Sequence, residues 1–210
     1  NEFSAMTLNV DNLFDTLDDK NKDDKAYLPI EAKTSKKHKK SCNNIKVKSW
    51  KNECLFLDWD IETKNVKLKN LASNIISYDR TGADIIALQE VENLNILNQL
   101  FDLLEPYGYQ DLMLIEGKDY RGIDTALISK YKILDAKLHY IVFSGKFEGK
   151  DTRPILDALI DVNGSKVKIY NVHFPSGFHD VSMRIDSLNL LSELLENHNY
   201  PTIALGDFNV

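Results

Sequence analysis

Residues 83–91 read Ala83-Asp84-Ile85-Ile86-Ala87-Leu88-Gln89-Glu90-Val91, an apolar run that stops at an amide and a carboxylate. Continuous apolar character over so few residues marks a strand covered on both faces, since a half-exposed strand would alternate. Upstream, Leu68, Leu71, Ile75 and Ile76 recur at helical spacing, and Gly82 supplies the stop. Downstream, Leu97, Leu100, Phe101 and Leu104 repeat that spacing as far as Pro106 and Gly108. A buried strand between two amphipathic helices belongs to the α/β class.

The same reading extends outward. Residues 5–10 form a short opening strand, and segments 111–115, 123–128 and 133–143 look extended. Residues 155–162 and 167–172 flank Asn163-Gly164, the strongest short hairpin signal. Asp180 is placed to cap a third helix whose apolar face is Ile185, Leu188, Leu191 and Leu195. Residues 202–205 make a closing strand. Helices alternate with strands at one end while strands meander through the middle. That mixture fits two packed sheets with outer helices better than one doubly wound sheet.

Residues 15–64 break the pattern. They are rich in Lys, Asp and Asn and include Lys36-Lys37-His38-Lys39-Lys40, so they read as a long surface excursion from a single domain, 1–210. The basic run reads as a solvated face in preference to a polyanion contact.

Composition agrees with one ordinary domain: 210 residues, 43% hydrophobic and 28% charged, without internal repeat or linker. No apolar run approaches the ~20 residues of a membrane span. The net charge of −6 argues against a protein that simply coats nucleic acid, but not against an enzyme whose metal ions supply a local positive field. Cys42 and Cys54 are the only cysteines. They form one disulfide in an exported protein or two free thiols in a cytosolic one, and the sequence leaves both open. The chain opens Asn1-Glu2-Phe3 without an initiator methionine or apolar signal region, and so reads as a processed or engineered fragment.

Chemistry gathers where strands end. One strand runs into Asn9 and Asp11, a second into Gln89-Glu90, a third into His173, a fourth into Gly206-Asp207-Phe208-Asn209. If those ends share one edge, four kinds of polar group meet in a cleft, where ligand sites of open α/β sheets lie. Glu, Asp and Asn are hard oxygen donors suited to Mg²⁺ or Mn²⁺. A cation that neutralises phosphate oxygens, a carboxylate that orients water and a histidine that donates to developing charge together make a phosphate-ester hydrolase. Taken singly, each has a duller reading, as surface carboxylate, turn former or buried ring.

At these residues the chain resembles the endonuclease/exonuclease/phosphatase superfamily, which includes deoxyribonuclease I and the apurinic endonucleases. Asn9-Val10-Asp11-Asn12-Leu13-Phe14, Leu88-Gln89-Glu90-Val91, Arg121-Gly122-Ile123-Asp124-Thr125-Ala126-Leu127, Asn171-Val172-His173 and Gly206-Asp207-Phe208-Asn209 follow the family elements in order. The resemblance implies a four-layer α/β/β/α sandwich of two mixed sheets with outer helices. It implies Glu90 and Asn9 as metal ligands, and His173, Asp207, Asn209 and Asp11 in catalytic roles. It implies Arg121, Arg153 and Asn209 as phosphate contacts, the two arginines equally readable as structural ion-pair partners. Asp124 is expected to tie down the Arg121 loop.

Family members continue past Gly-Asp-Phe-Asn to an Asp-His pair, so a missing final segment, weak activity of this fragment and self-association through an open sheet edge are expected. His179 and His198 do not stand in for that pair. Inositol phosphatases carry Trp before Gly-Asp, where this chain has residues 201–205, Pro-Thr-Ile-Ala-Leu; apurinic endonucleases carry Gly where this chain has Asn12. The nearest pattern is that of bacterial, often exported, nuclease-like members. Nucleic acid is therefore the favoured substrate, and an exported protein is slightly favoured over a cytoplasmic one. A lipid or small-molecule phosphodiesterase, or a non-catalytic binding domain of the same fold, is the alternative.

Overall fold

A computed structural model describes residues 2–150 and 152–210. Its strands are β1 (Ala5–Leu13), β2 (Ile85–Val91), β3 (Asp111–Leu114), β4 (Asp124–Ser129), β5 (Lys132–His139), β6 (Ile155–Val162), β7 (Ser165–His173) and β8 (Thr202–Asp207). Its helices are α1 (Lys36–Asn43), α2 (Lys48–Phe56), α3 (Ile61–Ser77), α4 (Leu94–Leu104) and α5 (Val181–Glu196).

The described residues form two four-stranded sheets, ordered β1-β2-β4-β3 and β5-β6-β7-β8. Each sheet is mixed: β1 runs parallel to β2 and β7 parallel to β8, while the other pairs are antiparallel. Three apolar layers hold four structural layers together. Ile85, Ala87 and Leu127 of the first sheet meet Leu156, Ala158, Ile160 and Ile169 of the second. The other face of β2, Ile86 and Leu88, packs with Leu68 and Ile75 of α3 and Leu97 and Leu100 of α4. On the far side, Tyr170 and Val172 pack against Met183 and Leu191 of α5. Strand β2 thus sits between two apolar layers, which is why its sequence does not alternate. Side-chain caps fix where the helices start: Asp60 accepts from Thr63 N at 2.7 Å, Asn93 from Ile96 N at 3.0 Å and Asp180 from Ser182 N at 3.1 Å.

Two local expectations differ from the structure. The excursion is folded, and it gives way to α3 at Ile61 rather than after Lys64. Lys64 hides that first turn from a hydrophobicity reading, because it is buried with its amine on Gln99 Oε1 at 2.6 Å. Within the excursion the Cys42–Cys54 disulfide joins α1 to α2. Lys33 Nζ donates to the carbonyls of Ala26, Glu53 and Leu57, and Trp59 Nε1 donates to Phe14 O at 3.1 Å. The basic run lies on α1, its lysines exposed and His38 alone buried. In α5, of the expected apolar face only Leu191 is buried; Ile185, Leu188 and Leu195 face outward, and Met183 and Ser187 take the inner positions. No helix among the described residues is long and apolar enough to cross a membrane.

Candidate active site

Each sheet contributes one pair of parallel strands, and the carboxyl ends of both pairs meet. In register, Asn9 lies beside Gln89 and His173 beside Asp207. The Asn9 amide donates from Nδ2 to Glu90 Oε1 at 3.2 Å and to Asp207 Oδ2 at 3.0 Å, bridging the two sheets. His173 Nε2 stands 3.7 Å from Glu90 Oε1 and 3.8 Å from Asp207 Oδ2. Four strands therefore deliver four polar side chains to one place.

The backbone is bent to do so. Glu90 has φ 68° at the register break between Gln89 and Val91, and Asp11 and Asn12 have φ 51° and 63° at the break between Asn9 and Leu13. Asn209 has φ 52°. Left-handed backbone costs a non-glycine residue ~1–3 kcal/mol unless its surroundings hold it. Here hydrogen bonds hold it: Asn12 N donates to Glu90 Oε2 at 3.0 Å, Asp11 N to Asn9 Oδ1 at 2.9 Å and Asn209 N to Asp207 Oδ1 at 3.1 Å. Gly206, at φ 138°, crosses so close to β7 that a Cβ would lie 2.1 Å from Val172 O.

Electrostatics divide the site into a negative centre and a positive flank. His173 is buried, and burial together with the guanidiniums of Arg153 and Arg121 pushes its pKa down to about 3, against the opposing pull of Asp207. The ring is neutral near pH 7. Its Nε2 faces two acceptor oxygens, so the proton is assigned there; Nδ1 is buried without a hydrogen-bond partner among the described residues. Arg121 donates to Asn12 Oδ1. Arg153 pairs with Asp119 at 3.6 Å, and its Nε is buried without a partner among the described residues. Burial holds the Arg153 pKa below the usual guanidinium value, with Asp119 opposing.

The remaining expected residues fall in two groups. Asp11 is exposed at the rim, its carboxylate accepting from Asn12 Nδ2 at 3.4 Å. Asn209 turns its Nδ2 onto Phe174 O at 2.9 Å, which makes it a brace between the ends of β7 and β8. Asp124 Oδ1 accepts Gly117 N at 2.8 Å, at the start of the loop that carries Arg121. Sequence reading missed Lys67. From α3 its Nζ donates to Asp11 O and, at 3.3 Å, to Asn12 O, clamping the left-handed turn. No motif marks it; only its neighbours in the folded chain do.

The donor set suits a hard divalent cation. Glu90 Oε1 and Asp207 Oδ2 accept from one shared amide, and neither carboxylate pairs with Lys or Arg among the described residues. Glu90 offers the carboxylate oxygen that Mg²⁺ takes from a protein, and Asn9 would add its Oδ1, which now accepts from Asp11 N, leaving further positions to water and substrate.

The sequence model of the Endonuclease/Exonuclease/phosphatase family matches residues 59–210. Among curated protein sequences none matches this chain. Solved structures with the same fold include an endonuclease/exonuclease/phosphatase family protein from Leptotrichia buccalis, with TM-score 0.51 and 20% identity over 72% of this chain and 63% of that one. A humanized D. rerio TDP2 superimposes with TM-score 0.53 and 18% identity, covering 72% of this chain and 58% of that one. A β-hairpin deletion mutant of beta toxin from Staphylococcus aureus gives TM-score 0.57 and 15% identity, over 100% of this chain and 68% of that one. Another beta toxin structure, 20% identical with TM-score 0.51, covers 67% of this chain and 57% of that one, and contains bound magnesium ions. The chain spans 63% and 58% of the first two of these.

Proposed function

The chain belongs to the endonuclease/exonuclease/phosphatase family, and from that membership we propose that it hydrolyses phosphodiester bonds of nucleic acid with a divalent cation, Mg²⁺ or Mn²⁺. One observation carries the reading: the Asn9 amide lies between the carboxylates of Glu90 and Asp207, with His173 Nε2 within 4 Å of both.

Glu90 and Asn9 would hold the cation, which when bound would neutralise charge on the phosphate oxygens. Asp207 orients the attacking water and accepts its proton, the part expected of a carboxylate set beside a phosphate. Neutral His173 donates its Nε2 hydrogen to a phosphate oxygen as negative charge builds there. Its burial keeps it a donor without a charge change between pH 5 and 8. Arg121 and Arg153 supply the fixed positive flank that the neighbouring backbone phosphates of a polynucleotide require. Asn209 and Lys67 position Asp207 and the Asn9–Asn12 turn, and Asp11 acts from the rim through water. The Cys42–Cys54 disulfide supports an exported protein, since such bonds persist in oxidising compartments.

The test is hydrolysis of DNA and RNA by the purified chain in Mg²⁺, with EDTA as control. Glu90→Gln and His173→Ala are each expected to lower kcat by about 10²–10⁴. Cleavage of a small or lipid phosphodiester without cleavage of polynucleotide would replace the substrate and keep the chemistry. Unchanged hydrolysis by Glu90→Gln would contradict the site.

A further inference from the structure

Two residues beyond Glu90 begins a second group of carboxylates for which phosphodiester chemistry has no use. Asp19, Asp24 and Glu92 each bring a carboxylate oxygen within 4.8 Å of the others. Asp24 and Glu92 are 1% and 3% exposed. One oxygen of each is accounted for: Asp24 Oδ2 accepts Asp19 N, and Glu92 Oε2 accepts Asp15 N, both at 2.7 Å. The other, Oδ1 of Asp24 and Oε1 of Glu92, is buried without a hydrogen-bond partner among the described residues. No lysine or arginine forms an ion pair with any of the three among those residues. Instead amides surround the group: Asn93 Nδ2 reaches Asp15 and Asp19 at 3.3 Å, and Asn95 Nδ2 reaches Asp15 at 2.8 Å.

Buried carboxylates need a cation or a proton to compensate them. We propose that Asp19, Asp24 and Glu92 form a Ca²⁺ site separate from the metal position at Glu90. The chemistry selects the ion. Several negative oxygens converging from the protein make the cage that Ca²⁺ accepts with six to eight ligands, whereas Mg²⁺ keeps most of its water. A surface hollow of about 600 Å³, lined by Asp18, Asp19, Asn21, Tyr120, Lys20, Lys22 and Lys25, opens beside Asp19.

The site also has a mechanical consequence. Its segment is fastened to the loop that carries Arg121: Asp23 N donates to Tyr120 O at 2.9 Å, and Lys22 Nζ to Asp119 O at 3.0 Å. Asp119 in turn pairs with Arg153. A cation at Asp19, Asp24 and Glu92 fixes residues 15–24, and through them the positions of both guanidiniums beside His173.

Calorimetric titration with CaCl₂ and melting in CaCl₂ or EDTA test this. The wild-type chain should bind Ca²⁺ and melt roughly 5–10 °C higher when the ion is about 100-fold above its Kd. Asp24→Asn, and the less buried Asp19→Asn, should each lose one bound ion and most of that shift. In EDTA, Asp24→Asn should melt no lower than wild type, because a buried charge has been removed. Glu90→Gln should keep the Ca²⁺ response. A folded wild-type chain that ignores Ca²⁺ overturns the proposal, as does a response that survives both cluster substitutions or disappears with Glu90→Gln. None of these readouts depends on hydrolysis, so the Ca²⁺ site and the phosphodiester reading fail separately.

Discussion

Gln89 Nε2 donates to Asn171 Oδ1 at 2.8 Å, and this bond joins the central strand of one sheet to that of the other inside the core. Asn171 completes its valences with the carbonyls of Leu88 and Ala126, both at 2.9 Å and both on the opposite sheet. Gln89 precedes Glu90 and Asn171 lies two residues before His173, so the pair fixes the sheets in register at the point where the site begins. Both residues are buried, where a polar group needs its partner.

Asn171→Ala would remove three buried hydrogen bonds, those to Leu88 O and Ala126 O and the one from Gln89 Nε2, which keeps Ala87 O at 3.1 Å. At ~0.5–1.5 kcal/mol each, a loss of roughly 3 kcal/mol is expected, a drop in Tm of about 6–12 °C. Thermal melting checks it, and an unchanged Tm would mean that the amide pair does not hold the sheets.

Gly206→Ala is expected to be worse than an ordinary Gly→Ala change. The added Cβ meets backbone, Val172 O at 2.1 Å and Val172 N at 2.7 Å, and the residue sits at φ 138°. Neither side can yield without separating β8 from β7, so Asp207 moves away from His173. A loss of about 3 kcal/mol or more follows from backbone strain and a clash with backbone atoms. Denaturant unfolding measures it; a stability within ~0.5 kcal/mol of wild type would contradict the close approach.

The fold was legible because its decisive signals are local. The run through Ile85 to Leu88 needs cover on both faces, and Asn163-Gly164 admits little but a tight turn, so two sheets with outer helices followed from pattern alone. The strand-end residues were legible as a set for the same reason. What stayed hidden depends on contacts between distant segments. Asn209 reads as a phosphate ligand, and nothing in the sequence shows that its amide also braces Phe174 O; Lys67 carries no motif at all. Gln89 and Asn171 were noticed as motif members, but their bond crosses 82 positions of sequence. The outward turn of Ile185, Leu188 and Leu195 was misread because an apolar stripe does not say which of two adjacent faces is covered.

Asp124 predicts a pH dependence of stability. Burial pushes its carboxyl up to about 7, the Gly117 hydrogen bond and Lys22 opposing, while its unfolded value stays near 3.8. Between those values the folded chain keeps a proton that the unfolded chain has released. This contribution is therefore fully present below about pH 4 and is lost as pH rises through about 7. Asp124→Asn keeps the acceptor for Gly117 and removes the titration, so its Tm should gain on wild type between about pH 5 and about pH 8. A constant difference between the two proteins over that range would refute the assignment.

Reduction should act on the excursion. The Cys42–Cys54 bond closes a loop with a sequence separation of 12, a constraint of roughly 2–3 kcal/mol on the unfolded chain. Cys42→Ala with Cys54→Ala is expected to expose residues 36–58 to limited proteolysis before the sheets melt. Cleavage that begins in the sheets instead would show that the excursion does not depend on the bridge.

Mn²⁺ binding followed by electron paramagnetic resonance tests the central claim most directly, that Asn9 and Glu90 hold a divalent cation beside Asp207. The wild-type chain is expected to immobilise Mn²⁺ at this site, and Glu90→Gln to weaken that binding by about tenfold or more, while Asp24→Asn leaves it in place. Equal Mn²⁺ affinity in wild type and Glu90→Gln, with both proteins folded, would contradict it.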